Sequence, residues 1–190
     1  SLTSFSFYPG KNLGGLGDGG AIVTKEENLM ERILRIRNYG SAVKYVHQEI
    51  GANSRLDELQ AAFLSLKLKN LDDQNAKRTD VANFYLENIK NDLIKLPTFL
   101  KNTSPAWHLF VIRVSDRDGF MNYMASQNIE TSIHYPITCN QQRCYKDLHE
   151  HDCPVAQQAA AEVVSLPISP ALDMDKIEHV VASANRWRRA

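Results

Sequence analysis

The sequence predicts a mixed α/β chain. Short apolar runs, such as residues 1–7 and 20–24, have the length and alternation of strands, and longer stretches, such as residues 53–71, place apolar residues three and four apart as helices do. The two kinds of segment follow one another along 190 residues, enough chain to bury a real core as one domain or as a large piece of two.

Residues 1–7 read as a strand that delivers a glycine-rich turn, and residues 20–24 as the strand that leaves it. Thr24 and Glu27 have the spacing of a capping box, and the helix they open carries Leu29, Ile33 and Ile36 on one face with charges opposite. Asn38-Tyr39-Gly40 supplies its stop. Residues 41–52 show no clean period and read as a loop long enough to be functional. A helix then starts within residues 53–58, with Leu59, Phe63, Leu66 and Leu71 as its apolar face. A second helix, residues 72–93, carries Val81, Phe84 and Ile89 and is closed by Leu96-Pro97. Beyond Pro105 the pattern becomes strand (107–114), helix (118–127), strand (129–135), a Pro- and Cys-punctuated loop, helix (154–164) with Pro154 in its first turn, and strand (165–168). Asp173 stands as the cap of a last helix whose inner face is Ile177, Val180, Val181 and Ala184. These distal segments form a small α+β lobe of strands packed on helices.

Composition excludes several classes. Lys and Arg equal Asp and Glu at 22 each, and the longest basic cluster is the short tail 186–189, so no nucleic-acid surface is advertised. No apolar run has the length of a membrane span and no signal peptide is visible, and three cysteines suit a reducing cytoplasm. The chain opens at Ser1 directly in what reads as a core strand, and is expected to be the distal part of a longer protein.

Lys11 is the leading candidate for chemistry. It follows Ser6-Phe7-Tyr8-Pro9-Gly10 and precedes Gly14, Gly15, Gly17, Gly19 and Gly20, so a bound group can approach its amine over backbone that carries no side chains. Two other readings of this stretch fail. Gly15-x-Gly17-x-x-Gly20 matches a dinucleotide fingerprint as a string but runs into a strand where the fingerprint needs a helix. Gly10-Lys11 is followed by Asn12, where a nucleotide P-loop needs Ser or Thr. A zinc module drawn on Cys139, Cys144, His149, His151 and Cys153 is the rival from another class. Its spacing lacks the Cys-x-x-Cys pair that fixes two ligands on one turn, and the expectation is no metal.

Five stretches in order resemble the DegT/DnrJ/StrS family of pyridoxal-phosphate-dependent sugar-nucleotide aminotransferases: residues 6–14, residues 16–21, Asn38-Tyr39-Gly40, residues 53–62 and Ile133-His134-Tyr135-Pro136. Residues 107–113 and 131–136 look most like members that aminate 3-keto-6-deoxy sugars attached to dTDP. The resemblance implies the distal part of an aspartate-aminotransferase-like (fold type I) large domain at residues 1–71, a linking helix at 72–104 and a small C-terminal α+β domain at 105–190. It implies pyridoxal 5'-phosphate as cofactor, Lys11 as its Schiff-base lysine, Ser6 as the hydroxyl on its phosphate, and Asn53 as an amide reaching the phosphate in a second subunit of a homodimer. Tyr8 and His134 would line the sugar pocket. Activity would be transfer of an amino group from an amino acid, usually L-glutamate, to a nucleotide-linked keto-deoxysugar, giving an amino sugar for a surface polysaccharide or a natural product. The family's carboxylate for the pyridine nitrogen, its ring-stacking residue and its main phosphate turn precede the lysine strand; neither Asp18 nor Asp57 is a substitute. After Tyr135-Pro136 relatives show a proline-rich turn with a histidine, whereas this chain has Ile137-Thr138-Cys139-Asn140, which leaves the sugar open. The alternatives are a sugar dehydratase of the same family, in which histidine replaces the lysine, and a non-catalytic fragment.

Overall fold

The computed structural model describes residues 1–148 and 152–189 and divides into two compact units, residues 1–73 and 74–190. In the first unit, β1 (Leu2–Ser6) pairs antiparallel with β2 (Gly20–Thr24), Ser6 opposite Gly20, so the glycine-rich turn is the closed end of a ribbon. Thr24 does not build the expected capping box. Its hydroxyl donates to the carbonyl of Ser1 and accepts from the amide of Glu26, which ties the strand ends together and lets α1 (Glu27–Ile36) start without a side-chain cap.

Helix α1 stops where the sequence says it should. Tyr39 and Gly40 both take positive φ, 61° and 74°, and a side chain at Gly40 would run into the carbonyl of Glu49. Residues 41–52, expected to be a plain loop, contain a small hairpin of β3 (Ser41–Val43) and β4 (Val46–His47) around Lys44-Tyr45. Its return is anchored on α1. Arg35 and Arg32 donate to the Glu49 carboxylate at 3.0 and 3.1 Å, and the amides of Ala52 and Ser54 bond to the carbonyls of Ile36 and Arg37 at 2.8 and 2.9 Å.

Helix α2 (Glu58–Leu68) begins later than the sequence suggests, because residues 53–57 remain extended along the end of α1. Its expected apolar face is uncovered within the unit: Leu59, Phe63 and Leu66 are exposed, Leu64 is the buried residue, and Leu71 opens the next helix. Phe5 and Ile22 of the ribbon and Met30 and Leu34 of α1 are also exposed. The unit thus presents apolar surface on ribbon and helices alike.

The second unit has a complete core. Strands β5 (Ile94–Lys95), β6 (Phe110–Val114) and β7 (Val163–Leu166) form an antiparallel sheet with β6 in the middle. Phe110, Ile112 and Val114 alternate inward on β6, as period two requires, and meet residues from three helices. Val81, Ala82, Tyr85 and Ile89 come from α3 (Leu71–Asn88) and its end, Phe120 and Met124 from α4 (Arg117–Ser126), and Ile177, Val180 and Ala184 from α6 (Met174–Arg186). Each large apolar side chain so buried contributes roughly 1.5–3 kcal/mol. Helix α5 (Pro154–Glu162), with Pro154 in its first turn as expected, leads straight into β7.

Four expectations are corrected here. Helix α3 ends at Asn88, short of residue 93, because Asn91 turns the chain: its amide nitrogen donates to the carbonyls of Ala184 and Trp187, and its amide oxygen accepts from Leu93 N–H. Strand β6 starts at Phe110 and not at residue 107, since Trp107 has φ 48°, incompatible with a strand. Residues 129–135 form no strand; they touch the sheet through one bridge, Ser132 to Ser165. Asp173 holds the N-cap position of α6 but its carboxylate pairs with Lys176 at 3.2 Å and caps nothing.

Candidate active site

The ribbon of β1 and β2 sets the position of Lys11. The amide of Phe7 donates to the Gly19 carbonyl and that of Gly15 to the Phe7 carbonyl, each at 2.8 Å, so the turn folds back on the strand end. Lys11 N–H closes a tight turn onto the Tyr8 carbonyl at 2.9 Å, with Pro9 and Gly10 between them. Lys11 is half-buried, and its amine makes no hydrogen bond or ion pair among the described residues. The amine is thus left open to a group brought into the turn.

The glycines are explained by what stands beside them. A carbon added at Gly14 would collide with the backbone of Pro9 and Tyr8. At Gly15 and Gly17 it would meet the amide of Gln60, the oxygen at 2.9 Å and the nitrogen at 2.9 Å respectively. Gln60 Oε1 accepts from Leu16 N–H at 2.8 Å, and Lys67 donates to the Gly14 carbonyl. Helix α2 therefore clamps the loop behind Lys11 with two side chains, and glycine leaves room for the clamp. Sequence reasoning missed both residues. Gln60 stood within the 53–62 motif, but nothing in the string links it to a loop 44 positions away.

Ser6 and Tyr8 join Lys11 on the same strand end. Ser6 Oγ accepts from Tyr8 N–H at 3.3 Å, which leaves its own proton to give away. Tyr8 is exposed, its ring lying over Gly10. Asn53 sits on the extended segment that bridges to Asn38, and its side-chain amide is uncommitted among the described residues. His134 belongs to the second unit, half-buried, with Nδ1 2.8 Å from Ser165 Oγ. Three of the five expected residues are thus gathered on one turn, the fourth lies elsewhere in that unit, and the fifth is in the other.

These features fit a phosphate-bearing aldehyde cofactor: an uncommitted amine, a hydroxyl with a free proton five residues before it, and a glycine-rich backbone following it. The rival zinc cluster has no counterpart among the described residues, where no group of three or more potential ligands lies together; His149 and His151 fall outside those residues. Cys139, Cys144 and Cys153 are exposed and form no disulfide among the described residues.

A site of this kind on such a ribbon defines a class. The chain belongs to the DegT/DnrJ/EryC1/StrS aminotransferase family, whose profile matches residues 1–185. Among relatives, it is 53% identical to the dTDP-3-amino-3,6-dideoxy-alpha-D-galactopyranose transaminase of Aneurinibacillus thermoaerophilus, over 96% of this chain and 55% of that protein. Among solved structures, it resembles S. venezuelae DesV in complex with a ketimine intermediate (TM-score 0.93, 41% identity, 98% of this chain and 51% of that one). It also resembles NtdA from Bacillus subtilis with bound cofactor PMP (TM-score 0.87, 29% identity, 96% and 45%). The chain spans about half the length of the curated relatives it matches.

Proposed function

We propose that the protein to which this chain belongs transfers an amino group from L-glutamate to a nucleotide-linked keto-deoxysugar, with pyridoxal 5'-phosphate held by Lys11. The observation that carries the reading is the uncommitted Lys11 amine on a glycine turn clamped from behind by Gln60 and Lys67. The names of the similar proteins, a dTDP-amino-deoxysugar transaminase foremost, favour a nucleotide-linked deoxysugar as the acceptor.

Pyridoxal phosphate, when bound, supplies the electron-withdrawing ring that makes the donor's Cα proton removable. Lys11 would hold the cofactor through Nζ, and the same nitrogen, when free, would hold and move the proton. Ser6 would donate a hydrogen bond from its hydroxyl to a phosphate oxygen while Oγ accepts from Tyr8 N–H. Asn53 would offer its amide to the phosphate held by a second copy of the chain, in an isologous dimer with shared sites. Tyr8 and His134 line the sugar pocket. A lysine at this place, and not a histidine, favours amino transfer over dehydration.

In this reading residues 1–71 are the distal part of a fold type I large domain and 105–190 the small domain; the expected linking helix at 72–104 is instead built into the second unit, with Val81, Tyr85 and Ile94 in its core and β5 in its sheet. The uncovered apolar residues of the first unit would be covered by the part of the large domain that its relatives' extra length supplies, together with the carboxylate for the pyridine nitrogen. The enzyme would work in the cytoplasm. No helix among the described residues is long and apolar enough to cross a membrane.

Turnover tests this directly. The protein at the full length of its relatives should convert a dTDP-linked 3-keto-6-deoxysugar to the amino sugar at the expense of glutamate, and Lys11→Arg should abolish conversion. The 190-residue chain alone should show little or none. Unchanged turnover by Lys11→Arg would refute the assignment.

A further inference from the structure

The His134–Ser165 pair carries a more specific conclusion, which rests on the reading of His134 as a sugar-pocket residue. Ser165 lies in β7 between Val164 and Leu166, both buried in the core, so its own side chain points to the opposite face of the strand. It is nevertheless only 5% exposed. Its backbone is held from both sides: it stands opposite Val111 of β6, and it exchanges hydrogen bonds with Ser132, 2.7 Å from Ser165 N to Ser132 O and 3.2 Å in return. The hydroxyl therefore comes from a fixed point of the sheet. It meets His134 Nδ1 at 2.8 Å and has no other partner among the described residues. His134 Nε2 has none either.

A serine hydroxyl has one proton to give, and a neutral imidazole has one nitrogen to accept it. If Nδ1 kept its hydrogen and donated to Oγ, the hydroxyl proton would be buried without an acceptor, an arrangement disfavoured about tenfold or more. The pairing that satisfies both groups is O–H of Ser165 to Nδ1, which leaves the ring hydrogen on Nε2. We propose that Ser165 is a positioning residue that fixes His134 as the Nε2–H tautomer, so that the ring presents a hydrogen-bond donor to an oxygen of the bound sugar, a carbonyl or hydroxyl, and does not act as a base. Ser165 lies 31 positions from His134 and outside every motif that pointed to the site.

The ring nitrogens report the tautomer without any turnover. The 190-residue chain, labelled with 15N in histidine and held where the imidazole is neutral, should show His134 with a pyridine-like Nδ1 and a pyrrole-like Nε2. Ser165→Ala should shift the tautomer ratio about tenfold toward Nδ1–H, and Ser165→Thr, which keeps the hydroxyl, should restore the original pattern. A wild-type ring already protonated on Nδ1, or a ratio indifferent to Ser165→Ala in a chain that remains folded, would overturn the proposal. Because the wild-type spectrum is itself decisive, an unfolded variant does not rescue it. Failure of the aminotransferase reading would register separately, as unchanged turnover by Lys11→Arg.

Discussion

The clamp behind Lys11 makes a quantitative prediction that separates two glycines, Gly14 and Gly15, that look alike in sequence. Gly15 has an ordinary backbone conformation, and the nearest atom to an added methyl is Gln60 Oε1 at 2.9 Å, followed by the Gly17 carbonyl at 3.3 Å. Gly15→Ala should therefore push the Gln60 amide aside and forfeit its bond from Leu16 N–H, a loss of about 0.5–1.5 kcal/mol for a single neutral hydrogen bond. Replacing glycine where the backbone allows it returns about 0.4–1 kcal/mol through the unfolded chain. The net effect should be a mild loosening of at most about 1 kcal/mol. In a Gln60→Ala background the obstructing group is gone, and the same Gly15→Ala change should become neutral or stabilising. The coupling between the two sites should be about 1 kcal/mol. Gly14→Ala faces backbone atoms of Pro9 and Tyr8 and should cost about 1–3 kcal/mol in either background, as overpacking does. Native-state hydrogen exchange at the Gly15 and Phe7 amides, which bond to the Phe7 and Gly19 carbonyls, reads the opening of this loop. Equal cost of Gly15→Ala in both backgrounds would refute the clamp, and wild-type exchange in Gly14→Ala would refute the tight approach of the Pro9 and Tyr8 backbone to that glycine.

Other consequences are independent of that loop. Tyr85 is fully buried and its hydroxyl donates to the Pro167 carbonyl at 2.9 Å, burial also pushing its phenol well above the ordinary range; Tyr85→Phe should leave that carbonyl unpaired and cost about 1–3 kcal/mol in denaturant unfolding. Ser183 Oγ is buried with no hydrogen-bond partner among the described residues, so Ser183→Ala should be neutral or should raise the unfolding midpoint, whereas an ordinary buried serine would lower it. Hydrogen bonds first from Arg35 and then from Arg32 hold the Glu49 carboxyl below its usual value, so its contribution to anchoring the β3–β4 return is complete above the ordinary carboxylate pKa and is lost only as pH falls through the lowered one. A carbon-detected titration of Glu49 should show the low midpoint, and Arg35→Ala should raise it more than Arg32→Ala.

How much of this was legible in the sequence depended on how far apart the partners lie. The Lys11 turn was readable because strand, lysine and glycines are contiguous, and the glycines after the lysine mark a crowded backbone. Strand β6 was readable because Phe110, Ile112 and Val114 alternate, although its start was misplaced by the left-handed Trp107. The apolar stripe of α2 was seen but its burial was not, since periodicity shows which side of a helix is apolar and not whether anything covers it. The hairpin in residues 41–52 was invisible because its strands are two or three residues long and are held by Glu49 on α1 arginines, with little pattern of their own. Gln60 and Ser165 were beyond reach for the same reason: each acts on a residue tens of positions away, through geometry that no spacing encodes.

The most direct test of the central assignment is borohydride reduction in the presence of pyridoxal phosphate, followed by peptide mapping. Reduction converts a lysine–aldehyde carbon–nitrogen double bond into a stable amine and so marks the lysine that formed it. With the protein at the full length of its relatives, the label should fall selectively on Lys11, and Gln60→Ala should weaken that selectivity by loosening the loop that presents it. Labelling of Lys11 no stronger than that of Lys25 or Lys44, both on the same unit, would contradict the assignment.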